Sequence, residues 1–190
     1  QSCPAPPTIL YEIIKDYEFN SAQVGQVLKS LNKVGNHFMS PSHDLYIDRN
    51  FILISHKENI EGVNYSITFK DIQSGQFENI LSFKELSELP TPFLRNKALA
   101  FVDIEKLSFP LTLRHWQEGD KFKPFGMKGK SKKLQDFFSD EKVPRFKKDK
   151  IWLLVNGNQE IIWVCGMRSS ESFKIDSTTQ KVLQLTELSS

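Results

Sequence analysis

Helical spacing governs the first thirty-odd residues of this chain, and short apolar runs or alternations govern nearly everything after them. Thr8–Tyr17 (TILYEIIKDY) places Ile9, Ile13 and the Leu10–Ile14 pair on one side, which predicts a short helix behind an extended, proline-rich Gln1–Pro7. Asn20 and Gln23 have the spacing of a capping box. Val24, Val27, Leu28 and Leu31 then recur at i, i+3, i+4 and i+7, predicting a second helix to about Asn32, with Gly35 just past its end. Two such helices bury little alone and call for something to pack on.

From His37 the period shortens. His37–Ser40, Leu45–Asp48 and Phe51–Ser55 read as meander strands separated by Pro41-Ser42-His43 and Arg49-Asn50. Val63–Phe69 and Phe77–Leu81, split by Gln73-Ser74-Gly75-Gln76, read as a hairpin, and Pro90 and Pro92 punctuate a connector. Leu99–Val102 and Phe109–Leu113 are further strands. Ile151–Val155 and Ile161–Cys165 flank Asn156-Gly157-Asn158, the clearest hairpin signal, and Phe173–Ile175 with Val182–Leu185 complete the expected sheet. The fold class is α+β: two short N-terminal helices, then a strand-rich domain carrying one short basic helix.

That basic helix belongs to the stretch with the most unusual charge. Residues 112–150 hold 12 of the 25 Lys and Arg but 6 of the 23 Asp and Glu, a local charge of +6 in a chain of +2. Such asymmetry points to a polyanionic partner. Lys128, Lys130, Lys132 and Lys133 cluster around Gly126 and Gly129, just ahead of LQDFF, whose Leu134, Phe137 and Phe138 form an apolar helical face. With Ser131 as N-cap, the lysines sit against the positive end of the helix, a cost that an anion would offset. Glycines, cations and free N–H groups together predict a phosphate site. Arg114 and Arg168 are either phosphate forks or holders of a carboxylate such as Asp120 or Asp136. Trp116, Phe122 and Phe125 lie among the cations, a composition suited to stacking on bases, with Trp116 and Phe122 reading equally as core and Phe137 and Phe138 reading as core.

Other chemistries find no footing. His37, His43, His56 and His115 show no ligand spacing, so no metal site is expected, and no nucleophile motif or nucleotide loop occurs. No catalytic residue is assigned. Cys3 and Cys165 are too few for a disulfide framework, which predicts reduced thiols and a cytoplasmic location. The longest apolar runs are about five residues, such as Ile151–Val155, and no charged-then-apolar leader opens the chain, so no membrane is expected.

An ordered set of residues carries a family resemblance: Leu113-Arg114, Trp116, Gly119-Asp120, Phe122, Pro124, Gly126-Met127, Gly129, Lys132-Lys133-Leu134 and Asp136-Phe137-Phe138, then Val143-Pro144, Trp163, Gly166 and Arg168. Together they resemble the C-terminal domain of tRNA(Ile)-lysidine synthetases. Phe19-Asn20, Gly35, Phe38, Ser40 and Asp48-Arg49 resemble the junction that precedes it. The resemblance implies residues 1–35 as the end of a central helical domain and 36–190 as a C-terminal tRNA-binding domain built on the 112–150 motif. It implies binding of an isoleucine tRNA from its acceptor-stem side. Lys128, Lys130, Lys132 and Lys133 would neutralise phosphates, with Arg114, Arg145, Lys148 and Arg168 as further RNA contacts. The family attaches lysine to a wobble cytidine using ATP, with magnesium, in a separate N-terminal domain whose Ser-Gly-Gly-x-Asp-Ser loop this chain does not contain, so no cofactor is expected here. Lys148 stands where many such enzymes carry arginine, keeping the charge and losing the bidentate fork. The rival reading is a non-catalytic basic module for a protein partner or a small anion.

Overall fold

Pro6 and Pro7 lie inside the first helix, α1 (Pro6–Ile14), rather than in an extended lead-in to it. A proline in a first turn lacks only an N–H that has no helical partner there, and its fixed φ already suits the helix. The computed structural model describes residues 5–57, 63–87 and 96–188. The chain divides into two compact units, Gln1–Asn59 with Pro144–Phe146, and Ile60–Val143 with Lys147–Ser190. Pro90 and Pro92, and Cys3, fall outside the described residues.

In the first unit, α1 runs into a single 3-10 turn and then α2 (Ser21–Ser30). The capping box forms as the spacing predicts: Gln23 N–H donates to Asn20 Oδ1, and Asn20 N–H donates to Gln23 Oε1, each at 3.0 Å. An antiparallel meander follows, β1 (His37–Met39), β2 (His43–Ile47) and β3 (Ile52–His56). Leu10, Ile14, Phe19, Val24, Val27, Leu45 and Ile47 make one cluster, so the helices pack on this sheet. The apolar face of α1 is narrower than expected, because Ile9 and Ile13 are exposed. The helix-to-strand switch at Gly35, which adopts φ 90°, is a change of secondary structure inside this unit.

The second unit begins with β4 (Asn64–Ile67), α3 (Phe69–Ser74), β5 (Gln76–Phe77), β6 (Leu81–Leu86), β7 (Leu99–Asp103) and β8 (Leu111–His115). It continues with β9 (Lys121–Phe122), β10 (Lys132–Lys133), α4 (Leu134–Asp140), α5 (Arg145–Lys148), β11 (Trp152–Val155), β12 (Ile161–Val164), β13 (Arg168–Ser169) and β14 (Val182–Glu187). The first two residues of α5 count with the first unit. Among the described residues these strands form two larger antiparallel sheets, in the orders β13-β12-β11-β8-β4 and β5-β6-β14-β7, and a two-stranded antiparallel ribbon of β9 and β10. Ile67, Leu111, Leu113, Leu154 and Ile162 of one sheet share a core with Leu81, Phe83, Val102, Leu183 and Leu185 of the other.

The opposite face of the larger sheet is covered as well. Leu153, Val155, Ile161 and Val164 meet Phe122 and the Leu134, Phe137 and Phe138 face of α4, as the helical spacing predicts. Coverage on both faces explains why β11 and β12 read as unbroken apolar runs with no polar alternation.

Three local expectations change. Val63–Phe69 and Phe77–Leu81 do not pair as a hairpin, since β4 and β5 join different sheets with α3 between them. Asp71 nucleates α3 by accepting the Thr68 N–H and hydroxyl, each at 2.7 Å, and Gly75 closes it at φ 84°. Phe173–Ile175 forms no strand; its start is a 3-10 turn, Glu171–Phe173, that buries Phe173. The Asn156-Gly157-Asn158 hairpin exists, but as a longer loop in which Gln159 takes φ 69°. Gly157 serves close approach there: its N–H reaches Ser108 O at 2.8 Å, and a Cβ would lie 2.5 Å from that oxygen.

Two measurements check this core. Phe137→Ala should cost about 3–5 kcal/mol in denaturant unfolding, the range for truncating a buried aromatic. Glu187, at the end of β14, has its carboxyl raised above the ordinary glutamate range by burial. The folded state therefore holds that proton more tightly than the unfolded one, and stability falls as pH rises between the two pKa values. Glu187→Gln should match wild type at about pH 4 and exceed it in stability at about pH 7.

Candidate nucleic-acid interface

The basic stretch is anchored at both ends by one carboxylate-bearing residue. Arg114 leaves β8 and forks onto Asp120, with Nη1 and Nη2 each 2.8 Å from a carboxylate oxygen. Asp120 also accepts the Gln117 N–H at 2.7 Å through its side chain and the Leu134 N–H at 2.8 Å through its carbonyl. The fork closes the turn at Gly119, and the carbonyl ties the start of α4 to it.

Between these anchors lie two consecutive tight turns. Met127 N–H donates to Pro124 O at 3.1 Å around Gly126, φ 89°, the pattern of a type II turn. Lys130 N–H donates to Met127 O at 3.1 Å around Lys128 and Gly129, φ 52° and 75°, the pattern of type I′. Added Cβ atoms on Gly126 and Gly129 would meet open space, so positive φ, not crowding, is what demands glycine there. The neighbouring edge holds the loop down. Phe125 N–H reaches Ser169 O at 2.9 Å, Glu171 N–H reaches Lys123 O at 2.7 Å, and Gly126 N–H reaches Glu171 Oε2 at 2.8 Å. The Lys174 ammonium first, and the Gly126 N–H second, hold the Glu171 carboxyl below the ordinary glutamate range.

The cations sort into two groups. Lys132 pairs with Asp140, Lys123 with Glu160 at 3.2 Å, and Arg168 with Glu141 at 3.2 Å. Among the described residues, no ion pair engages Lys121, Lys128, Lys130 or Lys133, all of which are exposed. β9 and β10 place Lys133 directly opposite Lys121. Like charges facing across a strand pair repel, and a shared anion removes the penalty.

Several predicted residues therefore take other stations. Arg114 holds Asp120 and Arg168 holds Glu141, which is the carboxylate reading of both. Lys128 and Lys130 ride the turn pair, and Lys132 and Lys133 form β10. Lys148 is half-buried on α5, whereas Arg145 is exposed and counts with the first unit. Ser131 is not the N-cap: Lys133 occupies that position, without a side-chain cap bond. The expected anion site at the helix start also shrinks, because α4 has seven residues and its Leu134 N–H is already bonded.

Phe122 is core, 5.0 Å from Phe137, and Trp116 is half-buried, 5.6 Å from Phe138. Lys121 carries no local signal for a site, because only the β9–β10 register brings it to Lys133. Among the described residues, no group of three or more His, Cys, Asp or Glu is placed to hold a metal ion, and no helix is long and apolar enough to cross a membrane.

Comparison with known proteins gives this geometry a setting. Residues 1–57 match the family model described as the TilS substrate binding domain, and residues 111–185 match the one described as the TilS substrate C-terminal domain. A tRNA(Ile)-lysidine synthase of Parabacteroides distasonis is 43% identical over 183 residues, covering 95% of this chain and 41% of that protein. One of Bacteroides thetaiotaomicron is 34% identical, covering 95% and 39%. The chain thus spans about two-fifths of the length of the curated relatives it matches. A crystal structure of a TilS C-terminal domain shares the fold at a TM-score of 0.52 and 20% identity, covering 67% of this chain and all of that one.

Lys128 gives the loop a measurable property. A lysine at positive φ costs on the order of 1 kcal/mol, and Asn-Gly is the preferred pair for a type I′ turn. Lys128→Asn should therefore raise stability by about 0.5–1 kcal/mol in urea unfolding. Unchanged or lower stability would mean the turn is not of this type.

Proposed function

The chain belongs to the tRNA(Ile)-lysidine synthase family, and from that premise we propose that it binds and positions tRNA through the 112–150 stretch. The observation that carries this reading is the set of exposed lysines, Lys121, Lys128, Lys130 and Lys133, that have no ion-pair partner among the described residues and sit on a backbone held by turns and cross-strand bonds. Cations carried on a held backbone and left without an ion-pair partner among the described residues suit phosphates, whose contacts set position and register without reading sequence. Lys132 adds charge at the cost of its pairing with Asp140, and Arg145 and Lys148 are each further candidate phosphate contacts. Arg114 and Arg168 serve it indirectly, by holding the stretch in shape.

The finer reading is an isoleucine tRNA gripped on its acceptor-stem side. The whole protein would join lysine to the wobble cytidine with ATP, working in the cytoplasm. In this reading ATP and magnesium belong to the part of the whole protein outside this chain, whose sequence has no phosphate-binding glycine motif. No catalytic step is assigned to its residues.

The test is salt dependence. Each phosphate contact contributes a slope of about −0.9 in log K against log salt on B-form duplex, and a similar value is expected on an RNA stem. Lys130→Gln with Lys133→Gln should leave the fold intact by circular dichroism, lower tRNA affinity and flatten the slope by about 2. Unchanged affinity and slope would return these lysines to a solvated face. Binding of an acidic peptide in place of tRNA would favour the basic-module reading.

A further inference from the structure

Phe125 has a different fate from the other aromatic residues of the basic stretch. Phe122, Phe137 and Phe138 are buried and Trp116 is half-buried against Phe138, whereas Phe125 is 50% exposed and its loop neighbour Met127 38% exposed. Its backbone is nonetheless fixed. The Phe125 N–H is bonded to Ser169 O, the following Gly126 N–H to Glu171 Oε2, and the residue lies in the first of the two turns. Lys128 and Lys130 follow within five residues, and neither is engaged in an ion pair among the described residues.

A half-exposed apolar ring keeps an unfavourable contact with water, and a backbone bonded on both sides limits how far the loop can move to cover it. The same locking lowers the entropy lost when a flat partner settles on it. A partner that offers both a π-face and a phosphate within a few ångströms is a nucleotide. Only an unpaired or terminal base exposes that face, since a base inside a duplex is stacked on both sides.

We propose that Phe125 is a stacking platform for an unpaired nucleobase of the bound RNA, with Lys128 and Lys130 on the adjoining phosphates and Glu171 as the positioning residue that holds the loop. This inference rests on the tRNA-binding reading and adds a contact that distinguishes an unpaired nucleotide from a uniform duplex.

The probes are two RNA hairpins of the same stem, one blunt and one with a short single-stranded 3′ overhang carrying 2-aminopurine. Wild type should bind the overhang hairpin more tightly. Phe125→Ala and Phe125→Leu should each weaken that binding by about 5- to 150-fold, the range for losing one base–aromatic stack. Both should leave blunt-hairpin affinity and the salt slope unchanged. Phe125→Trp should retain affinity, and 2-aminopurine fluorescence should respond to wild type and Phe125→Trp but not to Phe125→Leu. Equal loss on both hairpins, a Leu variant that matches wild type, or a changed salt slope would overturn the platform, each showing a role in loop shape instead. Failure of wild type to bind either hairpin or tRNA would sink the tRNA reading itself. Salt-dependent tRNA binding with no effect of Phe125→Ala sinks the platform alone.

Discussion

The Arg114–Asp120 fork is the constraint on which the rest of the basic face depends. Both side chains are largely buried, at 14% and 13% exposure, so each ion needs a full set of partners to repay its desolvation. They find one. The guanidinium also reaches the His115 carbonyl at 3.0 Å, and the carboxylate also takes the Gln117 N–H. Removing either partner would strand a buried charge, a loss of about 3–5 kcal/mol that an exposed lysine pair could never match. Because the Asp120 carbonyl also takes the Leu134 N–H, the fork joins the end of β8 to the start of α4 and fixes where the intervening lysines emerge.

The fork also explains how so charged a stretch can be well ordered. Asp140 and Glu160 each pair with one basic side chain, Glu141 pairs with Arg168 and Lys97, and Phe122 and the α4 face press into the larger sheet. Cations engaged in structure and cations left to solvent thus alternate over a few residues. The residual costs, Lys128 at positive φ and Lys133 facing Lys121, are small beside the burial of three aromatic rings. A surface selected only for solubility would relieve both, with asparagine in the turn and a carboxylate across the strand.

Sequence made the outline of this molecule legible wherever one signal dominated. The α2 capping box, the α4 apolar face and the β11–β12 strand pair depend on local spacing or on composition, and they form as the spacing predicts. The errors share a cause. Val63–Phe69 and Phe77–Leu81 look like partners because apolar runs flanking a turn carry no label for which sheet they join, and the Thr68–Asp71 cap between them went unread. Ser131 was the natural N-cap by residue type, but β10 pairing carries the extended backbone two residues further, to Lys133. The charge excess of the candidate site was visible in composition. Its division into paired and unpaired lysines was not, since Lys132–Asp140 spans eight residues and Lys121–Lys133 needs a cross-strand register.

In the proposed RNA contact, phosphate binding and aromatic stacking make different demands on the loop, and one device would serve both. Lysine charge acts through solvent over several ångströms and tolerates a mobile side chain, so Lys128 and Lys130 need only a well-placed backbone. Stacking falls off within van der Waals range and needs a fixed ring plane. The two turns supply the backbone, and the bonds to Ser169 and Glu171 fix the segment that bears Phe125. Lysines alone would grip any stretch of RNA backbone equally. A ring carried on a bonded backbone beside them would add a preference that charge cannot provide, for a place where the bases come apart.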